Sequence, residues 1–197
     1  MDTVIDEKSR NNLFLMDNTA NPAPLGLCAF GMTTILLSIH NSGVTNLSSA
    51  IVSMMLMYGG LAQVIVGIME WKKNNTFGML TFISFGLFWI TFALILILPV
   101  IGFAISPTEV DIGVFLSAWA ILVAGLFVCT FKMFMILRMT FASLLIVFIL
   151  LAMANLTGIT GLFLFAGFLG VITGVLAMYL GIGAVINDVF GRRILPV

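Results

Sequence analysis

The residues equipped for chemistry are few and far apart. The chain has one histidine, His40, and two cysteines, Cys28 and Cys129, without the spacing of a metal site or the density of a disulfide scaffold. No serine or cysteine has a nearby base that would make a nucleophile of it. The acids lie in the first twenty residues, in a short connection (Glu109 and Asp111), or beside Lys and Arg (Glu70 and Asp188), where solvated interfacial charge is the plain reading. No glycine-rich phosphate-binding motif occurs. An enzyme, a metal or a cofactor is therefore not expected, and His40 reads as an interfacial residue at a helix end, with proton handling as the alternative. What remains is polar but uncharged: Thr33, Thr34, Ser38, Gln63, Thr81, Ser84, Thr91, Ser143, Asn155, Thr157 and Thr173, each set in an apolar run. An isolated hydroxyl there commonly bonds a carbonyl one turn back. As a set these groups suit a narrow, weakly polar path for a small neutral solute, or for an anion welcomed by N–H and O–H groups. An ion-coupled pump or cation channel normally carries an intramembrane acid or base.

The elements that must position these side chains follow from where the charges lie. All eight basic residues fall in four short places: Lys8 and Arg10, Lys72 and Lys73, Lys132 and Arg138, Arg192 and Arg193. Long apolar runs separate them, and the connections after runs one, three and five have no Lys or Arg. Positive charge stays on the cytoplasmic side, so the alternation predicts six crossings of the plasma membrane with both termini cytoplasmic. A chain that is 61% hydrophobic and 8% charged, with mean hydropathy +1.24, lacks the polar surface to cover a soluble globule. With about 20 apolar residues per span, the helices are expected at roughly 22–40, 47–70, 77–102, 111–131, 136–155 and 159–187. The expected class is an all-α integral membrane protein of six transmembrane helices. Residues 1–20 read as a mobile cytoplasmic tail without signal-peptide order, 21–190 as the transmembrane unit and 191–197 as a short cytoplasmic tail. Net charge zero argues against nucleic acid.

Spacing also speaks to packing. Ala166, Gly170 and Gly174 recur every four residues in the sixth run, so that helix is expected to approach another helix or another subunit closely. Gly59 and Gly60 in the second run read the same way. A faint echo links Ala29-Phe30-Gly31, Thr81-Phe82-Ile83-Ser84-Phe85-Gly86 and Thr140-Phe141-Ala142-Ser143-Leu144-Leu145, placing Phe30, Phe85 and Leu144 at intervals of 55 and 59 residues. Three hairpins of similar design would set these side chains at comparable depth around one axis, as an apolar constriction. Ordinary core packing explains the same residues.

The opening of the first run, Asn21-Pro22-Ala23-Pro24-Leu25-Gly26-Leu27, is physically a helix start: Asn caps, and Pro is tolerated where N–H groups have no intrahelical partner. This heptad resembles the signature of the acetate uptake transporter family, to which the succinate–acetate permeases belong. Further along, Phe30 to Leu37 with His40-Asn41, Tyr58-Gly59-Gly60 with Gln63, Glu70-Trp71-Lys72-Lys73 with Asn75-Thr76-Phe77-Gly78, Phe88-Trp89, and Phe190-Gly191-Arg192 with Leu195-Pro196 are similar to the bacterial members. The resemblance covers about residues 21–197. It implies a six-helix transporter or channel, assembled as a hexamer, with a pore in each subunit for acetate and related short carboxylates, succinate in some. It also implies an apolar ring of Phe, Tyr and Leu from the first, third and fifth helices, at Phe30, Phe85 and Leu144. Phe85 departs from the pattern, lacking the hydroxyl of the usual Tyr. Asn21, Gln63 and Glu70 match motif positions where function is sensitive to change, Glu70 at the cytoplasmic mouth as gate or as anchor. The expected path runs past Asn21, Thr33, Thr34, Gln63, Thr81, Ser84, Ser143 and Asn155, either proton-linked or channel-like. A channel for ammonia or another small neutral solute is the alternative that the uncharged lining equally fits.

Overall fold

Residues 19–197 are described by a computed structural model of the protein; most of the expected tail, 1–20, lies outside the described residues. Six helices long and apolar enough to cross a membrane follow one another: α1 (Ala23–Asn41), α2 (Ser49–Lys72), α3 (Thr76–Val100), α4 (Glu109–Lys132), α5 (Met135–Thr157) and α6 (Thr160–Val189). No strand occurs among the described residues. The protein is an all-α, multi-pass membrane protein. Large apolar side chains such as Ile121, Phe165 and Phe168 stand exposed on its outer face, as a lipid solvent allows.

Local chemistry sets the helix ends. Asn75 caps α3 by accepting from the Gly78 N–H at 3.0 Å. Thr108 opens α4 in a capping box with Asp111, each side chain accepting from the other residue's N–H. Glu109 and Asp111 therefore belong to the first turn of α4 rather than to the connection before it. Gly158 ends α5 in the left-handed region (φ 70°), where a side chain would be strained. At α1, Pro22 occupies the N-cap position that spacing assigned to Asn21. Asn21 still accepts from the Ala23 N–H at 3.1 Å, so its role as a cap survives one residue further out. His40 sits in the last turn of α1 with Nδ1 2.9 Å from the Thr45 carbonyl oxygen, to which it donates in the protonated-Nδ1 tautomer.

Two features were not legible beforehand. The middle of α2, Met55–Ala62, is wound as a π-helix, a form that is rare and often found at functional places. The second is the circuit the helices make: α3, α2, α1, α6, α5 and α4 pack in that order, and α4 meets α3 only thinly. That last seam is closed by aromatic side chains. Phe88 lies 5.1–5.8 Å, centroid to centroid, from Trp119, Phe115 and Phe148. Opposite it, α1 and α6 run antiparallel at close range. A Cβ on Gly31 would stand 2.6 Å from the Gly174 carbonyl oxygen, and one on Gly174 would stand 2.6 Å from that of Gly31. The small-residue stripe of α6 is thus spent on α1 of the same chain.

Candidate substrate pathway

An interior cavity of about 420 Å³ lies inside this circuit. Its lining starts at Phe30 on α1, at Phe85 on α3 and at Leu144 on α5, and from each runs toward the connection between α3 and α4, where Pro99, Ser106 and Pro107 border it. The three side chains therefore meet at one end of the cavity, all of them buried. Phe30 and Phe85 are in ring contact at 5.3 Å. Beyond them, Phe141 packs on Phe85 at 6.3 Å and on Phe77 at 5.6 Å, so the apolar closure continues for about two more turns of α3.

The wall is mostly hydrocarbon. Phe85, Phe88, Phe92, Leu96 and Pro99 form one face of α3 at helical spacing, and Phe148 and Leu151 oppose them from α5. No Lys, Arg, His, Asp or Glu lines it. Its polar side chains include Thr34, which donates to the Phe30 carbonyl at 2.7 Å, and Asn155, which donates to the Leu151 carbonyl at 2.8 Å. Both bonds are to the helix's own preceding turn, leaving the hydroxyl oxygen and one amide proton to face outward.

The remaining sequence-selected residues lie elsewhere. Ser143 donates to the Thr140 carbonyl and accepts from Thr173 Oγ1 at 2.8 Å, behind the cavity wall. Ser84 is half-buried on α3 and is not among the lining residues. Thr33 and Gln63 are buried where α1 meets α2, and Thr81 is buried on α3 four residues before Phe85. Gln63 donates to the Gly26 carbonyl at 3.4 Å, but its Oε1, like Thr33 Oγ1 and Thr81 Oγ1, has no hydrogen-bond partner. Asn21 borders a separate groove at the end of the bundle where α1 begins.

Glu70 overturns the expectation of a solvated interfacial charge, for it is only 2% exposed. Asn75 Nδ2 donates to its Oε2 at 2.7 Å, while Oε1 has no partner. Gly78 makes room for it, since a Cβ there would stand 2.8 Å from Oε2. The Glu70-Asn75-Gly78 spacing is thus one unit, in which Asn75 serves both as helix cap and as donor to the carboxylate.

Sequence reasoning passed over the aromatic wall and the plug beyond the ring. The periodicity of Phe85, Phe88 and Phe92 carried the first; Phe141 and Phe77 lie in segments already singled out, but nothing in spacing joins them.

The arrangement suits passage of a small solute: a mostly apolar chamber with Phe30, Phe85 and Leu144 at one end. Comparison with known proteins agrees. The chain matches the GPR1/FUN34/yaaH family over residues 10–190. It is 45% identical to the succinate-acetate/proton symporter SatP of Escherichia coli (strain K12) over 184 residues, 92% of this chain and 98% of that protein. It is 41% identical to ammonia transport outward protein 2 of Saccharomyces cerevisiae, over 81% of this chain and 59% of that one. The solved structure of the bacterial acetate channel SatP superposes with a TM-score of 0.90 at 45% identity, over 91% of this chain and 99% of the other. Family match, near-full-length identity and shared fold together make this chain a member of the GPR1/FUN34/yaaH family.

Proposed function

We propose that the protein carries acetate and related short-chain carboxylates, succinate among them, across the membrane through the cavity and past Phe30, Phe85 and Leu144. The observation that carries this reading is the superposition on the acetate channel SatP over nearly the whole of both chains, with the cavity ending on those three apolar side chains. The chemistry fits. A bare carboxylate loses several kcal/mol or more on entering an apolar site without partners. The neutral acid, with a pKa of about 4–5 like that of a side-chain carboxyl, crosses far more cheaply. Thr34 and Asn155 offer hydrogen bonds on the way, and no buried cation lining the cavity holds the anion back. Phe85 brings no hydroxyl to the narrowing, so dehydration there is more complete than with Tyr. Proton-linked uptake therefore has a physical basis, and channel-like passage of the anion requires the narrowing to hydrate.

The inner half of the route runs, in the same proposal, where Phe77 and Phe141 part. Gln63, Thr81 and Glu70, each with an unpartnered oxygen, would serve it there, with Thr33, Ser84 and Ser143 as flanking hydroxyls and Asn21 at the mouth. Both termini face the cytoplasm, the transmembrane unit spans about residues 21–190 between two short tails, and the subunits assemble as hexamers. This reading makes the protein a transporter without catalytic residues.

Uptake of labelled acetate into proteoliposomes, with and without an imposed pH gradient, tests it. Saturable uptake competed by propionate supports the proposal, and dependence on the gradient distinguishes proton-linked transport from conduction. The second reading, passage of ammonia, draws on the yeast relative named for ammonia transport. It predicts that ammonia flux is untouched by excess acetate and that folded protein moves no acetate above empty liposomes.

A further inference from the structure

A second opening of about 760 Å³, separate from the main cavity, lies between α1, α2 and α6, with Asn21 on its rim. At its mouth, just past the end of α6, stand Arg192 and Arg193, with Asp188 on the same rim. Two cations face one anion, and neither arginine has an ion-pair partner among the described residues. Leu25 and Val185, both exposed, make an apolar lower wall. Tyr58 marks the deep end; its neighbour Gly59 packs against Thr33, about 15 Å along α1 from Ala23 at 1.5 Å per residue.

The arginines are not on a loose tail. Asn187 Oδ1 accepts from the Ile194 N–H at 2.6 Å and the Leu195 N–H at 2.8 Å, and its Nδ2 donates to the Leu195 carbonyl at 2.9 Å. The Gly191 and Arg192 N–H groups bond back to the Asp188 and Asn187 carbonyls. A clamp therefore holds two guanidinium groups, without an ion-pair partner among the described residues, beside a groove whose wall includes exposed Leu25 and Val185. Guanidinium pairs match phosphate oxygens in geometry as well as charge, and basic pockets between helices at a membrane surface suit lipid head groups.

We propose that this groove holds one anionic phospholipid from the leaflet at the end where α1 begins, its phosphate at Arg192 and Arg193 and one acyl chain along Leu25 and Val185. Charge complementarity selects the occupant: two unpaired cations over an apolar wall call for an amphiphile with a negative head, which neither acetate nor a neutral lipid supplies. The proposal is independent of the transported substrate.

Cys28 is half-buried and lines the groove, so in a Cys129→Ser background its labelling by a polar maleimide reports occupancy. Nanodiscs of phosphatidylcholine are compared with nanodiscs containing phosphatidylglycerol. The expected result is labelling slowed roughly tenfold by phosphatidylglycerol, restored by Arg192→Gln with Arg193→Gln, and unchanged by saturating acetate. Equal labelling in the two lipids overturns the proposal. So does slowing produced by acetate itself, which would mark a free-anion site. Protection in phosphatidylcholine alone that grows with protein-to-lipid ratio overturns it too, because a second copy would then cover the groove. Native mass spectrometry of the unsubstituted protein gives a reading that needs no variant: one phosphatidylglycerol retained per chain in preference to phosphatidylcholine is expected, and no preference sinks the idea.

Discussion

The seam between α1 and α6 and the wall where α1, α2 and α3 meet use the same materials, glycine and uncharged polar residues, to opposite effect. In the seam, glycines bring two regular helices together, and hydroxyls on the two helices have partners: Thr34 of α1 donates to the Phe30 carbonyl, and Thr173 of α6 shares its proton between the Leu169 carbonyl and Ser143 Oγ of α5. In the wall, Gly59 and Gly60 sit in a π-helical stretch, Gly59 against Thr33 and Trp89. Thr33 Oγ1, Gln63 Oε1, Glu70 Oε1, Thr81 Oγ1 and Trp89 Nε1 there are buried without partners. A buried polar atom that stays without any partner costs about 1–3 kcal/mol. A rearrangement that gave any of them a partner would recover part of that cost, whereas the seam gains nothing by moving. The contrast makes the seam the fixed frame and the wall the side on which an opening is cheapest.

Substitutions at five positions test that contrast, the largest effect first. Gly174→Ala forces a methyl to 2.6 Å from the Gly31 carbonyl oxygen and is expected to cost about 1–3 kcal/mol or more, read as a lowered melting temperature in detergent. Gly161→Ala on the same helix, with nothing within 4 Å of its Cβ, should be neutral or stabilising by up to about 1 kcal/mol. Equal losses at both would remove the argument for a close seam. Next, Glu70→Ala strips the acceptor from Asn75 Nδ2 and should cost about 1–3 kcal/mol, while Glu70→Gln, aligning its amide oxygen to Asn75, should keep most of the stability. If Gln proves as damaging as Ala, the carboxylate charge itself holds the α2–α3 junction. Thr173→Val removes the hydroxyl that α6 shares between the Leu169 carbonyl and Ser143 of α5 and should cost about 1 kcal/mol. Smallest is Thr33→Val, which removes an oxygen that has no partner and should be neutral or slightly stabilising; a loss equal to that of Thr173→Val in the same thermal assay would mean Thr33 is bonded after all.

The spans were legible because hydropathy and length are local. Every helix begins and ends within about two residues of its expected bounds, and Asn75, Gly158 and the Thr108–Asp111 pair explain several of those ends. The π stretch was hidden, since Met55–Ala62 has the same apolar composition as the helix on either side. For the pathway, the 55- and 59-residue intervals pointed to Phe30, Phe85 and Leu144, and these three do meet at one end of the cavity. Of the polar set, Thr34, Ser38 and Asn155 reach the cavity, but Thr33, Gln63 and Ser143 turn into helix contacts, because residue type alone does not say which flank of a helix faces the interior. Glu70 read as surface charge because it stands next to Trp71-Lys72-Lys73. Its burial comes from Asn75 and Gly78, which the turn into α3 folds back over it.

By itself the sequence determined that this chain lives in a membrane, crosses it six times and belongs to a family with transporters among its members, since these depend on composition, charge placement and motif, which need no long-range contact. Only the tertiary structure decided the circuit α3–α2–α1–α6–α5–α4, the use of the α6 glycines within one subunit, and which polar groups meet the cavity. The physical reason is rotational. Nearly every position on these helices is apolar whether it faces lipid, protein or cavity, so the pattern carries little information about facing, and close packing between specific glycines and aromatic side chains supplies it instead.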